Sequence, residues 1–246
     1  MLAFLKNHPF AVEAFFESSE VLTFAIPKEQ LQSMIPTCLE LDTLNDEWAF
    51  LAVAMVQTKD LRPKGFPRFL GNDFFLIGYR IFVKYIDQQG KRKRGLYIIK
   101  SETNKKKMEF FGNIFTHYKY TTTDIQQSYE KGQRILQSVQ SDFRLVIKTN
   151  PQEIPLPPNS PFKDWTEARK FAGPLPYTFT YTPEKKEVLI IEGLRKDWKP
   201  QPIHVSAYHF SFLSKLNLKG AILANAFIIQ NIPYYWKKGK TEQWQQ

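Results

Sequence analysis

The 246-residue sequence has a single cysteine, Cys38. One cysteine excludes an intramolecular disulfide framework and any multi-cysteine zinc site. It lies in an apolar stretch and reads as a buried small hydrophobe rather than a nucleophile. Long apolar runs are also missing. The longest, Trp48 to Val56, has nine residues, against the roughly 18 that a membrane helix needs. The opening MLAFLKNHPF has no basic lead followed by a long apolar stretch, so a cleaved secretion signal is not expected. These gaps point to a soluble, cytoplasmic protein with no membrane partner. The patterns GxSxG, HExxH, CxxC and GxGxxG are absent too. Gly239-Lys240-Thr241 resembles the end of a phosphate-binding loop, but Tyr234 stands where the first glycine is required. Arg94 to Ile99 resembles an RNA-recognition strand, but Leu96 and Ile98 stand where stacking aromatics are needed. His204 and His209, an odd spacing apart on a strand, point to opposite faces. No metal site follows, and no cofactor is implied.

Apolar residues are plentiful at 43%, and 21 Phe, 11 Tyr and 5 Trp supply the bulk of a sizeable core. The length allows one large domain, and a single domain over 1–246 is expected, as all-β barrels often reach this size. Lysine and arginine exceed aspartate and glutamate by 34 − 24 = 10, which hints at an anionic partner. The run Lys91-Arg92-Lys93-Arg94 sits at a hairpin tip and reads as a solvated turn. A nucleic-acid partner using that tip and the 237–240 tail is not expected. It would show as a steep loss of affinity with salt.

Along the chain, residues 9–18 carry apolar side chains at helical spacing and predict a short helix. Residues 20–26 predict a strand. Pro27 opens a helix that Pro36 ends. Residues 38–43 and 47–58 predict strands around the turn pair Asn45-Asp46. Residues 62–73 are loop-like. Residues 74–86 and 94–101, rich in β-branched and aromatic residues, predict a hairpin about Gln88-Gln89-Gly90. Residues 103–117 break the pattern, because Met108, Phe111, Phe115 and Tyr118 form one helical face. Gly112 inside that helix is a cost unless something packs closely on it. Three strands are expected over 118–149, a proline-rich loop over 150–163 and a helix over 164–171. Strands follow over 177–182, 187–192, 203–212 and 220–232, and then a basic tail. The count is about ten strands and four helices. The fold class is mainly β (a β-rich α+β), closed or strongly curled.

Lys105-Lys106-Lys107 occupies the first turn of the 103–117 helix, where cations oppose the helix dipole. Like-charged neighbours push each other's pKa down. A lysine that loses its proton this way can form a Schiff base with a carbonyl substrate. The segments LQSMIPTCLELD (31–42) and WAFLAVAM (48–55) resemble the acetoacetate decarboxylase-like superfamily. LRPKGFP (61–67), FFLIGYRIFVKY (74–85), RGLYIIKSETNKKKMEFFGNIFTHYKY (94–120) and NIPYYWKKG (231–239) are similar to a family of uncharacterised bacterial proteins within it. The resemblance implies a curled, cone-shaped barrel with a few peripheral helices, whose interior binds small oxo acids. It implies a reactive lysine at Lys106 or Lys107, although the proline-lysine-lysine context is missing. Where the decarboxylases carry a strand glutamate, this chain has Leu76 or Ile77. Homo-oligomers occur in the superfamily, so a homo-oligomer is an option.

Arg62 and Arg80 are candidate carboxylate clamps, since a guanidinium pairs bidentately with a carboxylate. Arg80 falls in an apolar strand, where an inward charge needs a partner. Glu102 could supply one, and a Glu102–Arg80 pair is the plainer structural reading. Asn113 and His117 share a helix face that could border the cavity, and His117 with Tyr118 could act as an acid–base pair. The expected ligand is a small anionic or carbonyl compound. It is either held by Arg80 or Arg62, or attacked by Lys107 or Lys106 in a Schiff-base lyase or decarboxylase.

Overall fold

A computed structural model describes residues 3–149, 153–196 and 198–244. The strands are β1 (Val12–Pro27), β2 (Glu40–Leu41), β3 (Trp48–Pro63), β4 (Asn72–Ile86), β5 (Arg92–Thr103), β6 (Tyr120–Thr122), β7 (Gln126–Glu130) and β8 (Gln133–Ser138). Next come β9 (Phe143–Lys148), β10 (Tyr177–Thr182), β11 (Glu187–Arg195), β12 (Gln201–Pro202), β13 (His204–Phe210), β14 (Ile222–Trp236) and β15 (Lys240–Gln243). The helices are α1 (Lys28–Gln32), α2 (Lys106–Phe115), α3 (Trp165–Ala172) and α4 (Ser211–Lys215). Among the described residues no helix is long and apolar enough to cross a membrane.

Eleven strands form one sheet with the path β12-β14-β1-β3-β4-β5-β10-β11-β15. β14 also pairs with β11 through Gly193–Trp236, Leu194–Tyr235 and Arg195–Tyr234. The sheet therefore curls until it meets itself, which is the expected curled barrel. A second sheet of four strands, β13-β9-β8-β7, covers its outer face. The main core lies between them. Leu22 and Phe24 of β1, Leu51, Val53 and Met55 of β3, and Ile77, Tyr79 and Ile81 of β4 pack on Leu136, Phe143, Leu145 and Phe210. Cys38 is buried in this core, and burial pushes its thiol up to about 11.

The 74–86 and 94–101 hairpin and the helices over 28–32, 106–115 and 165–172 fall where the sequence places them. Gly112 has the close neighbour its position demands: a Cβ there would run into the Tyr120 ring. Residues 9–18 are a correction. From Val12 onward they are strand, paired with β14 on one side and β3 on the other. Register shifts at Glu13/Phe15 and Phe16/Ser18 break the two-residue alternation of a strand. The apolar side chains are left at a spacing that imitates a helix. Residues 118–149 hold four strands, not three, and the strand expected over 38–43 is only Glu40–Leu41. The basic tail contributes β15, which pairs with β11. The proline-rich segment has no strand or helix over 153–163, and residues 150–152 lie outside the described residues. The 91–94 run is largely paired: Lys93 with Asp87 at 3.1 Å, Arg94 with Asp42 at 2.6 Å, Arg92 with Glu40 at 3.9 Å.

Candidate functional site

The two faces of β3 differ in side-chain size. Leu51, Val53 and Met55 fill the packed core, whereas Ala52, Ala54, Val56 and Thr58 face the barrel interior. On β4 the residue opposite Ala54 is Gly78. Small side chains on the inner face leave a cavity of about 540 Å³, within the ~300–1,000 Å³ typical of small-molecule sites. α2 contributes Met108, Phe111 and Phe115 to its lining, and the end of α3 with the residues after it contributes Ala172 to Leu175.

Arg80 projects into this space. Gly78 makes room for it, since a Cβ on that glycine would lie 2.7 Å from Arg80 Nε. Strand alternation sets its face: Ile77, Tyr79 and Ile81 pack in the core, so Gly78, Arg80 and Phe82 line the cavity. The neighbouring β5 carries a β-bulge here: Tyr79 pairs with Lys100 and Arg80 with Ile98, so Ile99 is the extra residue. The guanidinium is enclosed by protein yet open to the cavity. Nε is buried with no hydrogen-bond partner. Among the described residues no acidic side chain faces it; the ionisable groups around it are the phenols of Tyr234, Tyr120 and Tyr118. Burial lowers the Arg80 pKa, and these phenols oppose the shift. Arginine nevertheless keeps its proton in proteins. Burial raises the pKa of Tyr118 and of Tyr120, so these two phenols are neutral at ordinary pH. The cavity thus holds a cation without a counter-charge, beside hydroxyl groups that can donate hydrogen bonds.

A second arginine lies close by. Arg195 donates to the Tyr234 hydroxyl at 3.2 Å and to the Pro174 carbonyl, and its Nε is also unpartnered. Arg195, Tyr120 and Tyr234 went unmarked as site residues. Only their place in a β-rich, aromatic context marks them in the sequence, and the pairing of β11 with β14 brings Arg195 to Tyr234.

The other candidates are spread out. Arg62 lines the cavity, but it pairs with Glu13 at 2.6 Å and donates to the carbonyls of Phe66 and Asp60. Glu102 is not the partner of Arg80. It lies on the packed face, bonded to Lys100 at 2.9 Å and to Ser141. The bulge is the physical reason, because it turns Glu102 to the face of Ile77 and Tyr79. Asn113 exchanges two hydrogen bonds with the Tyr120 backbone and so fixes β6. His117 contacts Asn7 at 3.0 Å rather than Tyr118. Lys105, Lys106 and Lys107 are all exposed, and Lys105 and Lys107 line the cavity mouth while Lys106 does not. Among the described residues no group of three or more His, Cys, Asp or Glu could hold a metal ion.

Residues 16–231 match DUF2071, a family described as an uncharacterized conserved protein. The chain belongs to the DUF2071 family. No protein of curated function matches the sequence. The DUF2071 chain is similar in structure to acetoacetate decarboxylase from Legionella pneumophila, with TM-score 0.58, 12% identity, and coverage of 96% of this chain and 89% of that one. An acetoacetate decarboxylase-like enzyme from Sphingomonas wittichii RW1 gives 0.55, 11%, 95% and 93%. The enduracididine biosynthesis enzyme MppR gives 0.55, 10%, 96% and 88%. At such identities the likeness is one of fold. DUF2071 is therefore an uncharacterised family with the acetoacetate decarboxylase-like fold. In this member Arg80 faces the cavity, and among the described residues the only amines lining it are those of Lys105 and Lys107.

Proposed function

We propose that this DUF2071 protein binds a small carboxylate or oxo acid inside the barrel, with Arg80 holding its charge. The observation that carries the reading is the buried guanidinium of Arg80, which among the described residues has no hydrogen-bond partner at Nε and no acid beside it. A buried charge without a partner is costly, and a bound carboxylate would supply both a counter-charge and two acceptors. The phenols around Arg80, those of Tyr118, Tyr120 and Tyr234, would donate to the same anion. Arg62 keeps its lesser role as a clamp, because Glu13 already occupies it. Titration calorimetry with butanoate and 2-oxobutanoate tests this. Arg80→Met should lose binding while retaining the wild-type melting temperature. Binding unchanged in that variant would sink the reading.

A second reading is a Schiff-base lyase or decarboxylase acting on an oxo acid through Lys107 or Lys106. Its support is that Lys107 lines the cavity. Borohydride trapping with small oxo acids, read by peptide mass spectrometry, decides it. A stable adduct on Lys107, lost in Lys107→Ala, is the expected result. No adduct in folded protein removes the imine chemistry.

A further inference from the structure

We infer that the preferred ligand at Arg80 carries a long apolar tail, of the class of medium-chain aliphatic carboxylates. This rests on the Arg80 reading above. From Arg80 toward the mouth, the β4 floor runs Gly78, Leu76, Phe74, with Ala54, Val56 and Thr58 beside them in register. β14 supplies a wall through Phe227 and Ile229, and α2 a roof through Met108 and Phe115. Polar groups on this path are few: the hydroxyls of Thr58, Ser19 and Ser101.

The charged lining residues other than Arg80 are otherwise engaged or lie at the mouth. Arg62 is held by Glu13, Arg195 by Tyr234 and Pro174, and Asp73 by Lys59. Lys105 and Lys107 are at the rim. The mouth itself has an apolar lip, since Leu70 and Phe111 both line it while 48% and 43% exposed. An acid the size of an oxo acid would engage Arg80 and leave the trough filled with water against apolar walls. A longer tail would displace that water, and the gain scales with the apolar area covered. The size of the cavity and the one-ended placement of its free charge both select an amphipathic anion.

Calorimetry with butanoate, hexanoate, octanoate and decanoate tests this on the full chain. The dissociation constant should fall about two- to fourfold per added methylene until the trough is full. Leu76→Phe narrows the trough beyond Gly78 and should weaken octanoate and decanoate while sparing butanoate. Its melting curve, together with its butanoate affinity, checks the fold. If butanoate and decanoate bind equally and Arg80→Met abolishes both, the tail inference falls and the Arg80 site stands. If no acid binds the wild-type protein, or Arg80→Met binds them all as well as wild type, the Arg80 site falls and the tail inference with it.

Discussion

On the packed face of the large sheet, Glu20 is fully buried and meets Arg134 from β8, which also reaches Ser18 and Gln127. Glu102 on the same face is met by Lys100 and Ser141. On the inner face, Arg80 has no such neighbour. Both faces belong to the same strands. The charges between the sheets are matched by protein and act as structure. The charge inside the barrel meets no acid among the described residues, so on the proposed reading a bound anion offsets its desolvation cost. Side-chain volume follows the same division. The packed face is filled by Leu, Ile, Met and Tyr, and the inner face is kept hollow by Ala52, Ala54 and Gly78.

The largest expected effect tests the charges. Arg134→Met leaves Glu20 buried and unpaired and should cost about 3–5 kcal/mol, read from the denaturant midpoint. Arg80→Met removes an unmatched charge and should leave the midpoint unchanged or higher. Equal losses in the two variants would erase the distinction between the faces. Bulk is the next test. Val53→Phe overpacks a filled core and should cost about 1–3 kcal/mol. Ala54→Leu, one residue along, points into the cavity and should cost less than Val53→Phe. Thermal melts of the two variants measure the contrast.

Where α2 closes the cavity, Gly112→Ala drives a methyl into the Tyr120 ring. It should lower stability by roughly 1–3 kcal/mol, in contrast with the tolerant trough beside it. The smallest effect concerns pH. Burial holds His8 below its ordinary value of 6.5, and burial with nearby Lys6 does the same to His117. Near pH 6 the unfolded chain therefore binds more protons than the folded one, so acid favours unfolding. Stability should be level above 6.5 and fall as the pH drops through that value toward the lowered folded-state values. Melts at pH 7.5 and 5.5 would show it, and His8→Gln should reduce the difference. A protein equally stable at both would mean that neither histidine is held neutral.

Much of the fold was legible in the sequence. FFLIGYRIFVKYI and RGLYIIKS carry dense β-branched and aromatic residues, and Met108, Phe111 and Phe115 mark a helix. Asn45 and Asp46, both with positive φ (54° and 57°), turn the chain where the turn pair predicts it. Residues 9–18 were not legible, because bulges displaced the alternation. β15 was hidden because Lys240 to Gln243 are polar, and pairing with β11 alone makes them a strand. At the site, Arg80 stood out as a charge in an apolar strand. Arg62 looked equivalent, and nothing local distinguishes it.

By itself the sequence determined that the chain is β-rich, that α2 interrupts the strands after residue 103, and that a basic residue lies within the β4 run. These are local properties, set by side-chain branching, helical spacing and turn chemistry over a few residues. Tertiary structure decided which charges are matched. Glu13 reaches Arg62 across paired strands, Arg134 reaches Glu20 between sheets, and the β5 bulge turns Glu102 away from Arg80. It also decided that Ala52, Ala54 and Gly78 border empty space. Partnership and emptiness depend on groups far apart in the chain, and only the closed sheet brings them within reach of one another or holds them apart.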